Sequence, residues 1–274
     1  MISRTKLRMI CGTSPSNYVQ VAQLSRWVFC YPYESPLFST LEPVSMSVAI
    51  VMPTIPRRAV VAQETLKRLI VQCDQAYVHL DGYTAVPSWI PSAVRAFVHP
   101  QQQGPIVRYR VIPDEEFVLF VDDDLMHPPD YVEKSVEALC RLGPRHAIAY
   151  HASWWPPKSP VHYTRRSCLP FSHASSSDVV ATYVGSGTLA LRTCDLRLVD
   201  RAAPTRFAKH DDVWISAALS RAGIRCIRPQ TAANWIRPKK TDAGLFKEAS
   251  KDGFRERDAR LAEALALGGW KLTR

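Results

Sequence analysis

Three consecutive aspartates, Asp122, Asp123 and Asp124, directly follow the apolar run from Phe117 to Val121. Successive side chains of an extended chain point to opposite sides, so Asp122 and Asp124 are expected to face the same way. Two carboxylates on one side can hold Mg²⁺ or Mn²⁺, with substrate phosphates completing the coordination shell. The alternative is a solvated acidic turn, although three adjacent carboxylates repel one another unless a cation is near. The run therefore predicts a divalent metal site with Asp122 and Asp124 as ligands.

A second acidic pair, Asp211 and Asp212, opens a helical pattern that stops at Gly223. A carboxylate in this position can act as the general base that takes the proton of an acceptor hydroxyl. Acidic residues are also favoured at a helix N-terminus by the helix dipole, which is the structural alternative. His210 precedes the pair and is a candidate third metal ligand, although a single histidine is more often structural.

A sheet flanked by helices is needed to position these carboxylates, and the hydrophobic pattern predicts one. Compact apolar runs typical of buried strands lie at residues 47–52, 76–80, 95–99, 117–121 and 224–227. Apolar residues at helical spacing lie at residues 59–73, 130–139, 211–222 and 256–267. This alternation predicts an α/β fold with a mostly parallel central sheet. Ligands bind at the carboxyl ends of the strands in such sheets, where the three aspartates are expected to lie.

The length of 274 residues and the hydrophobic content of 46% suit a single domain with one core. Residues 1–45 lack sustained periodicity and are expected to form an irregular N-terminal extension, followed by one domain at 46–274. Within that domain we expect a nucleotide-binding half at about 46–125 and an acceptor-binding half at about 126–240. A basic segment and a helix at 241–274 complete it.

The net charge of +10 and the pI of about 9.4 favour a polyanionic partner, such as a phosphorylated substrate or an anionic membrane surface. Lys and Arg are concentrated in residues 221–260. The seven cysteines form an odd set without C-x-x-C pairs, so free thiols and a reducing compartment are expected. The sequence contains neither an apolar run of about 18 residues nor the h-region of a signal peptide. These features predict a cytoplasmic protein and leave open a peripheral contact with the inner face of the membrane.

The segment Phe117-Val118-Leu119-Phe120-Val121-Asp122-Asp123-Asp124 resembles the DxD strand of GT-A glycosyltransferases, including the family 2 and exostosin-like branches. The order of motifs over about residues 47–240 is similar to theirs as well. The resemblance implies a Rossmann-like nucleotide-diphospho-sugar transferase fold, with Mn²⁺ or Mg²⁺ as cofactor and Asp122 and Asp123 in contact with the nucleotide. It further implies a nucleotide-sugar donor, expected to be a UDP-sugar. The acceptor would be a carbohydrate, a lipid-linked glycan or a small molecule, as in polysaccharide biosynthesis. No nucleic-acid partner is expected, and the oligomeric state is left open.

The resemblance extends to the first strand and the loop after it. Pro53 and Thr54 are similar to the loop that cradles the nucleotide in these enzymes, with Arg57 or Arg58 available for the base or the phosphates. Asp81 matches the position that hydrogen-bonds uracil or ribose in many members, and a simple Asp-Gly turn is the alternative.

Two later motifs also match. The loop Gly185-Ser186-Gly187-Thr188 resembles the small-residue loop through which the backbone, here at Gly187, approaches the donor sugar; a tight bend is the alternative. Asp211 and Asp212 resemble the acidic pair that supplies the general base in inverting members and positions the sugar in retaining ones. The stereochemical outcome is not decided by these residues.

Further donor contacts are less well matched. Arg108, after the loop at 101–105, sits where relatives place an arginine near the donor. Lys239 and Lys240 are expected to fold over the diphosphate, and a solvated basic loop is the alternative.

The segment 154–177 is rich in Pro, Ser, His and Trp and is expected to be a long functional loop. Trp154 and Trp155 would either stack on sugar rings or lie in the core. The residues proposed to line the same acceptor side are His162, Tyr163 and His173.

Three other functions compete with glycosyl transfer. A nucleotidyltransferase acting on sugar phosphates would carry a Gly-rich phosphate loop after the first strand, and Pro53-Thr54-Ile55-Pro56 is not one. A metal-dependent nucleic-acid-processing enzyme would suit the charge and the aspartates, but no DNA-binding motif is present. A non-catalytic carbohydrate-binding protein would not need the aspartates.

Overall fold

The computed structural model of the protein describes residues 46–239 and 245–272. The expected extension at 1–45 and Lys240 lie outside the described residues. From Ser47 onward the chain forms one compact unit, which begins next to the expected domain start at residue 46. In the described part of the chain, no helix is both long enough and apolar enough to cross a membrane.

Strands and helices alternate along the described residues. The strands are β1 Val48–Thr54, β2 Gln75–Asp81, β3 Arg95–His99, β4 Phe117–Phe120, β5 Leu125–Met126, β6 His146–Ala149, β7 Ala152–Trp154, β8 Ser167–Leu169, β9 Val179–Ala181, β10 Tyr183–Val184, β11 Leu189–Arg192, β12 Arg225–Arg228 and β13 Arg237–Pro238. The α-helices are α1 Ala59–Leu69, α2 Tyr131–Leu142, α3 Thr193–Leu196, α4 Asp211–Arg221, α5 Leu245–Lys251 and α6 Arg255–Ala266. Short 3₁₀ turns lie at Pro56–Arg58, Pro105–Tyr109, Tyr163–Arg165, Ser186–Thr188 and Thr205–Phe207.

The central sheet of the described residues has the strand order β3-β2-β1-β4-β11-β6-β12-β9. Neighbours are parallel at β3-β2, β2-β1, β1-β4 and β6-β12. Strand β11 is antiparallel to both of its neighbours, and β9 is antiparallel to β12. The prediction of an α/β fold with a mostly parallel central sheet is therefore confirmed.

Strands β1 and β4 are buried at every position, as expected when both faces of a sheet are covered. Ala49 and Val51 belong to a core cluster that includes Ile215 and Leu219 of α4. Ile50, between them, points to the opposite face and is equally buried. Helix α1 contacts β1, and α2 contacts β6 and β11. The strand ends that carry the aspartates are thus anchored in a sheet with two buried faces.

The segment 154–177 is more ordered than a long loop. Strand β7 pairs with β8 and with β10 in a second sheet of three strands. Trp155 is 1% exposed and lies in a core cluster with Tyr183 and Leu261. Its indole N–H donates to the carbonyl of His162 at 3.0 Å. Of the two alternatives for this tryptophan, the core position is the one observed.

The basic stretch 221–260 does not present all its cations to solvent. Arg228 is fully buried and donates to the carbonyls of Pro229 and His173. Arg257 is 6% exposed, and the side chain of Lys239 is 7% exposed. These cations stabilise the fold, so the surface that could meet an anionic membrane is smaller than the sequence indicates.

Candidate functional site

A cavity of about 710 Å³ lies where β1, β2 and β4 end. The three strands are neighbours and parallel, so their carboxyl ends meet at one edge of the sheet. The sequence-predicted residues that line this main cavity are Pro53, Thr54, Arg57, Arg58, Asp81, Arg108, Asp122, Asp123, Asp124, Tyr163, Gly185, Ser186, Gly187, Thr188, Asp211 and Asp212. His210 and Lys239 are not among the lining residues.

Asp123 is the buried member of the acidic run, with 3% of its surface exposed. Its Oδ2 accepts from Thr54 Oγ1 at 2.8 Å, and its Oδ1 accepts from Arg58 Nη1 at 2.8 Å. Thr65 Oγ1 donates to the Asp123 carbonyl at 2.7 Å. These contacts tie β1, α1 and the end of β4 together. Both carboxylate oxygens of Asp123 already accept hydrogen bonds from the protein. Asp123 therefore holds the loop after β1 in place, whereas the sequence predicted that Asp123 contacts the nucleotide.

Asp122 faces the main cavity and has 38% of its side chain exposed. Its Oδ1 accepts from Arg108 Nη2 at 2.7 Å. On its other side lies Gly187, where an added Cβ would overlap the Asp122 carboxylate. The glycine therefore makes room for an aspartate of the site, whereas the sequence predicted that it makes room for the donor sugar.

Asp124 lies at the same cavity, 3.2 Å from Arg58 Nη1, with 23% of its side chain exposed. Burial and the negative charge of Asp122 raise the pKa of Asp124 to about 6, against the opposing effect of Arg58. An ionised pair of this kind is stabilised by a nearby cation.

The residues of the main cavity fit a divalent ion bound together with phosphates. Seven carboxyl groups and five Lys or Arg side chains are found among its described lining residues, which leaves an excess of negative charge. Within the described residues, no group of three His, Cys, Asp or Glu side chains is arranged to hold a metal by itself. Asp122 and Asp124 supply hard oxygen ligands, and Mg²⁺ or Mn²⁺ commonly combines one or two carboxylates with substrate phosphates and water.

His210 is separated from these aspartates and lines a second, smaller cavity. It is 4% exposed, and its Nε2 lies 3.3 Å from Glu256 Oε1. Burial and the charge of Arg257 lower the pKa of His210. The structure thus does not bring His210 to the predicted metal site, because its ring points toward α6.

Asp211 and Asp212 also line the main cavity, at the start of α4. Ser186 Oγ donates to Asp211 Oδ2 at 2.7 Å, and the Ser186 backbone N–H donates to Asp212 Oδ1 at 2.7 Å. Arg108 Nε lies 3.5 Å from Asp211 Oδ2, so one buried guanidinium contacts both Asp122 and Asp211. Burial raises the pKa of Asp211 to about 7, although Arg108 opposes the shift.

Arg108 was expected to contact the donor, and it is almost completely buried between the two carboxylates. Its main role in the structure is to link the walls that carry Asp122 and Asp211. Its Nη1 has no hydrogen-bond partner among the described residues.

Asp81, at the end of β2, is 3% exposed. Its carboxylate accepts from the backbone N–H groups of Gln103 and Gly104 at 2.7 and 2.9 Å. Gly104 has a φ of +79°, and an added Cβ would meet the Ala208 carbonyl oxygen. Asp81 therefore fixes the loop at the cavity edge, and contact with uracil or ribose remains a prediction.

Lys239 does not reach the main cavity. Its Nζ donates to the Val61 carbonyl and to Thr65 Oγ1, both at 3.0 Å, and contacts Glu64 at 3.2 Å. Its backbone N–H donates to the Asp124 carbonyl at 2.8 Å. The predicted diphosphate contact of Lys239 is replaced by a structural role, in which it supports the acidic turn. Lys240 lies outside the described residues.

Several lining residues escaped the sequence analysis. They are His151, Lys209 and Glu248. None belongs to a motif, and each comes from a different part of the chain, so only the tertiary fold brings them to the cavity. Arg57, by contrast, was predicted and is 58% exposed at the mouth, with Nη2 3.9 Å from Glu248.

No protein-family model matches the sequence, and no curated protein matches it either. Solved structures with a similar chain path include S. aureus TarS, at 16% identity and a TM-score of 0.49; the match covers 74% of this chain and 38% of TarS. A mycobacterial protein matches at 15% identity and a TM-score of 0.49, over 79% of this chain and 75% of its own. Glucosyl-3-phosphoglycerate synthase from Mycobacterium tuberculosis, solved with Mn²⁺, UDP and glucosyl-3-phosphoglycerate, matches at 14% identity and a TM-score of 0.48, over 79% and 80%. At these values the likeness concerns the path of the chain alone.

Proposed function

We propose that the chain is a GT-A glycosyltransferase that moves a sugar from a nucleotide-diphosphate sugar, expected to be a UDP-sugar, to a hydroxyl group of an acceptor. The observation that carries this proposal is that Asp122 and Asp124 share one cavity with Asp211 and Asp212. A glycosyl transfer needs one place where diphosphate charge is neutralised and another where an acceptor hydroxyl is deprotonated.

The donor diphosphate is assigned to the side of Asp122 and Asp124. These two residues would hold Mn²⁺ or Mg²⁺, which supplies charge neutralisation to the departing diphosphate. Arg57, exposed at the mouth, is placed to add a further positive charge. Thr54 and Arg58, fixed by Asp123, shape the wall on which the nucleotide lies.

The acceptor hydroxyl is assigned to the side of Asp212. Ser186 holds its Oδ1, which leaves Oδ2 to accept the hydroxyl proton. In an inverting reaction the acceptor oxygen attacks the anomeric carbon, the bond from that carbon to the diphosphate oxygen breaks, and the proton passes to Asp212. Asp211, held by Ser186 and Arg108, positions this wall. In a retaining reaction Asp212 would orient the sugar instead.

The first test is binding of nucleoside diphosphates. We expect UDP with Mn²⁺ to raise the melting temperature more than UDP or Mn²⁺ alone, because a ligand that binds only the folded state stabilises it in proportion to its occupancy. CDP, GDP and ADP serve as the comparison set. Asp124→Asn should abolish the Mn²⁺-dependent part, whereas the control Asp114→Asn, at an 82% exposed position, should keep it. An unchanged response of Asp124→Asn would contradict the proposal.

The second test separates glycosyl transfer from nucleotidyl transfer. With Mn²⁺, a glycosyltransferase releases UDP from a UDP-sugar, either onto an acceptor or slowly onto water. A nucleotidyltransferase instead releases pyrophosphate from UTP and a sugar 1-phosphate. Pyrophosphate release without UDP release would replace the proposed function by the alternative.

A further inference from the structure

The second cavity, of about 280 Å³, adjoins the main cavity. Lys209, Glu248 and Arg257 line both, so the two spaces share a wall. The volume is close to the lower end of the ~300–1,000 Å³ range of small-molecule sites. The two cavities are therefore neighbours that meet at these three side chains.

Residues that line the second cavity carry buried polar atoms without a hydrogen-bond partner within the described part of the chain. They are both ring nitrogens of His210, Arg257 Nε and Asp252 Oδ1. His210 is 4% exposed and Arg257 is 6% exposed, so water gives them little compensation. A buried polar group without a hydrogen bond is costly, which makes each atom a candidate contact for a ligand.

These atoms differ in the hydrogen-bond partner that each requires. The Arg257 Nε–H is a donor, Asp252 Oδ1 is an acceptor, and the neutral His210 ring offers one of each. A ligand that satisfies all of them must both donate and accept. Hydroxyl groups do this, whereas a fully ionised phosphate only accepts.

Charge around the cavity also disfavours an anion. Glu248, Asp252 and Glu256 contribute carboxylates, against Lys209, Lys251 and Arg257. The formal charges of these side chains balance. The binding of a neutral polyhydroxyl ligand does not depend on a net charge in the cavity. A phosphate, in contrast, would have to approach three carboxylates.

We propose that the second cavity binds a sugar unit of the acceptor, next to the unit whose hydroxyl is glycosylated in the main cavity. The acceptor is therefore a glycan of at least two sugar units and not a free monosaccharide. This inference rests on the proposed function, because it places the acceptor hydroxyl beside Asp212. Recognition occurs through hydrogen bonds to His210, Asp252 and Arg257.

The test uses the full chain with ¹³C-labelled histidine, loaded with UDP and Mg²⁺, and follows the ring signal of His210 by NMR. His210→Asn identifies the signal, and the signal of His146, which begins β6 and lines neither cavity, serves as an internal reference. Maltose, cellobiose, lactose and gentiobiose are titrated as disaccharides, glucose and galactose as monosaccharides, and inorganic phosphate as the anion. We expect at least one disaccharide to shift the His210 signal at a concentration about tenfold below that of its monosaccharides, the factor that one or two additional hydrogen bonds provide.

Variants check that the shift reports the proposed contacts. Asp252→Asn keeps the size of the side chain but loses the charged acceptor, so the disaccharide affinity should fall about five- to tenfold. Glu133→Gln, at an exposed position of α2, is the matched control and should leave the affinity unchanged. Equal disaccharide affinities of wild type and Asp252→Asn would overturn the inference.

The remaining outcomes are equally decisive. A His210 shift with phosphate and with no sugar would show an anion site and overturn the inference. The absence of a shift with every sugar would overturn it too. UDP binding is read in the same samples from the melting temperature, so a failed inference with intact UDP binding leaves the proposed function standing, whereas lost UDP binding counts against that function itself.

Discussion

His79 Nδ1 lies 3.0 Å from His99 Nε2, between two paired strands of the central sheet. The two histidines stand on the paired strands β2 and β3, and the His79 ring stacks on Phe97 with a centroid distance of 5.0 Å. Burial lowers the pKa of His79 to about 3, and the charges of His99, Arg108 and Arg110 act in the same direction. The folded state therefore favours the neutral form of His79.

Because the folded state favours neutral His79, we expect the free energy of unfolding to fall in acid. The unfolded chain takes up a proton on His79 near pH 6.5, while the folded chain resists it down to about pH 3, so stability falls as pH decreases through this window. One such histidine contributes a slope of up to about 1.4 kcal/mol per pH unit. Urea unfolding between pH 7 and pH 4 should show a shallower slope for His79→Phe than for wild type. His162→Gln, at an exposed position, is the control, and an identical slope for His79→Phe would refute the expectation.

Asp124, in the acidic turn, should change the stability with pH in the opposite direction. Burial and Asp122 raise the pKa of Asp124 to about 6, above its usual value of 3.8, so ionisation of Asp124 costs stability as pH rises through this range. With metal removed by a chelator, Asp124→Asn should be more stable than wild type at pH 7.5 by about 1–3 kcal/mol. The difference should vanish below pH 4, where wild-type Asp124 is protonated. Denaturant curves at the two pH values measure it, and a variant less stable than wild type at pH 7.5 would contradict it.

Gly187→Ala should damage the site more than the fold. The new Cβ displaces the Asp122 carboxylate and breaks its hydrogen bond to Arg108, which is worth about 1.5–3 kcal/mol for a charged pair. The Mn²⁺-dependent UDP affinity, measured by calorimetry, should fall about tenfold or more. Gly143→Ala is the control, because its φ of +77° makes alanine costly while nothing lies within 4 Å of the added Cβ. That variant should lose about 1 kcal/mol of stability and keep its UDP affinity.

The two lysines after β13 should have separate effects. Lys239→Met removes the hydrogen bonds to Val61 and Thr65 from an almost buried ammonium group, so the free energy of unfolding should fall by about 1–3 kcal/mol. Lys240→Met tests the sequence-based prediction of a diphosphate contact and should weaken UDP binding. A UDP affinity equal to wild type in Lys240→Met would remove that prediction.

Cys168 should be the most reactive thiol of the described residues at neutral pH. Partial burial opposes its ionisation, but hydrogen bonds with His151 and Ser153 and the charge of Arg166 prevail and lower the pKa of Cys168 to about 7. Only the thiolate is nucleophilic, so iodoacetamide at pH 7 should alkylate Cys168 several times faster than the exposed Cys194. Peptide mass spectrometry over time measures both rates. Faster labelling of Cys194 would refute the assignment.

The carboxylates of the site are predictable from sequence because each follows a strong local signal. A five-residue apolar run leads into Asp122, and a helical pattern begins at Asp211. Their partners are not predictable in this way. Arg58 and Asp123 are 65 residues apart, and Ser186 and Asp211 are 25 apart, so tertiary packing alone decides these contacts.

Three residues make contacts in the structure that differ from their predicted roles, and the physical cause is the same for each. Arg108 and Lys239 were assigned to the donor by their charge, yet both are buried against carboxylates or carbonyls of the protein itself. His210 was assigned to the metal by its position before Asp211, but its ring faces α6, which no local pattern relates to it. The sequence shows which side chains have the chemistry to bind a donor or a metal. The direction in which such a side chain points depends on elements far along the chain.

The reversed direction of β11 has a practical consequence for protein engineering. Because β11 runs antiparallel to β4, its amino end lies beside the carboxyl end of β4, and the Asp122 backbone N–H donates to the Gly187 carbonyl at 3.2 Å. The segment between these two residues also adds β6 and β9 to the same sheet before the chain returns to this point. Exchange of the whole segment would therefore remove two strands of the central sheet together with Asp123 and Asp124, so redesign of the acceptor side should be confined to the shorter connections between these strands.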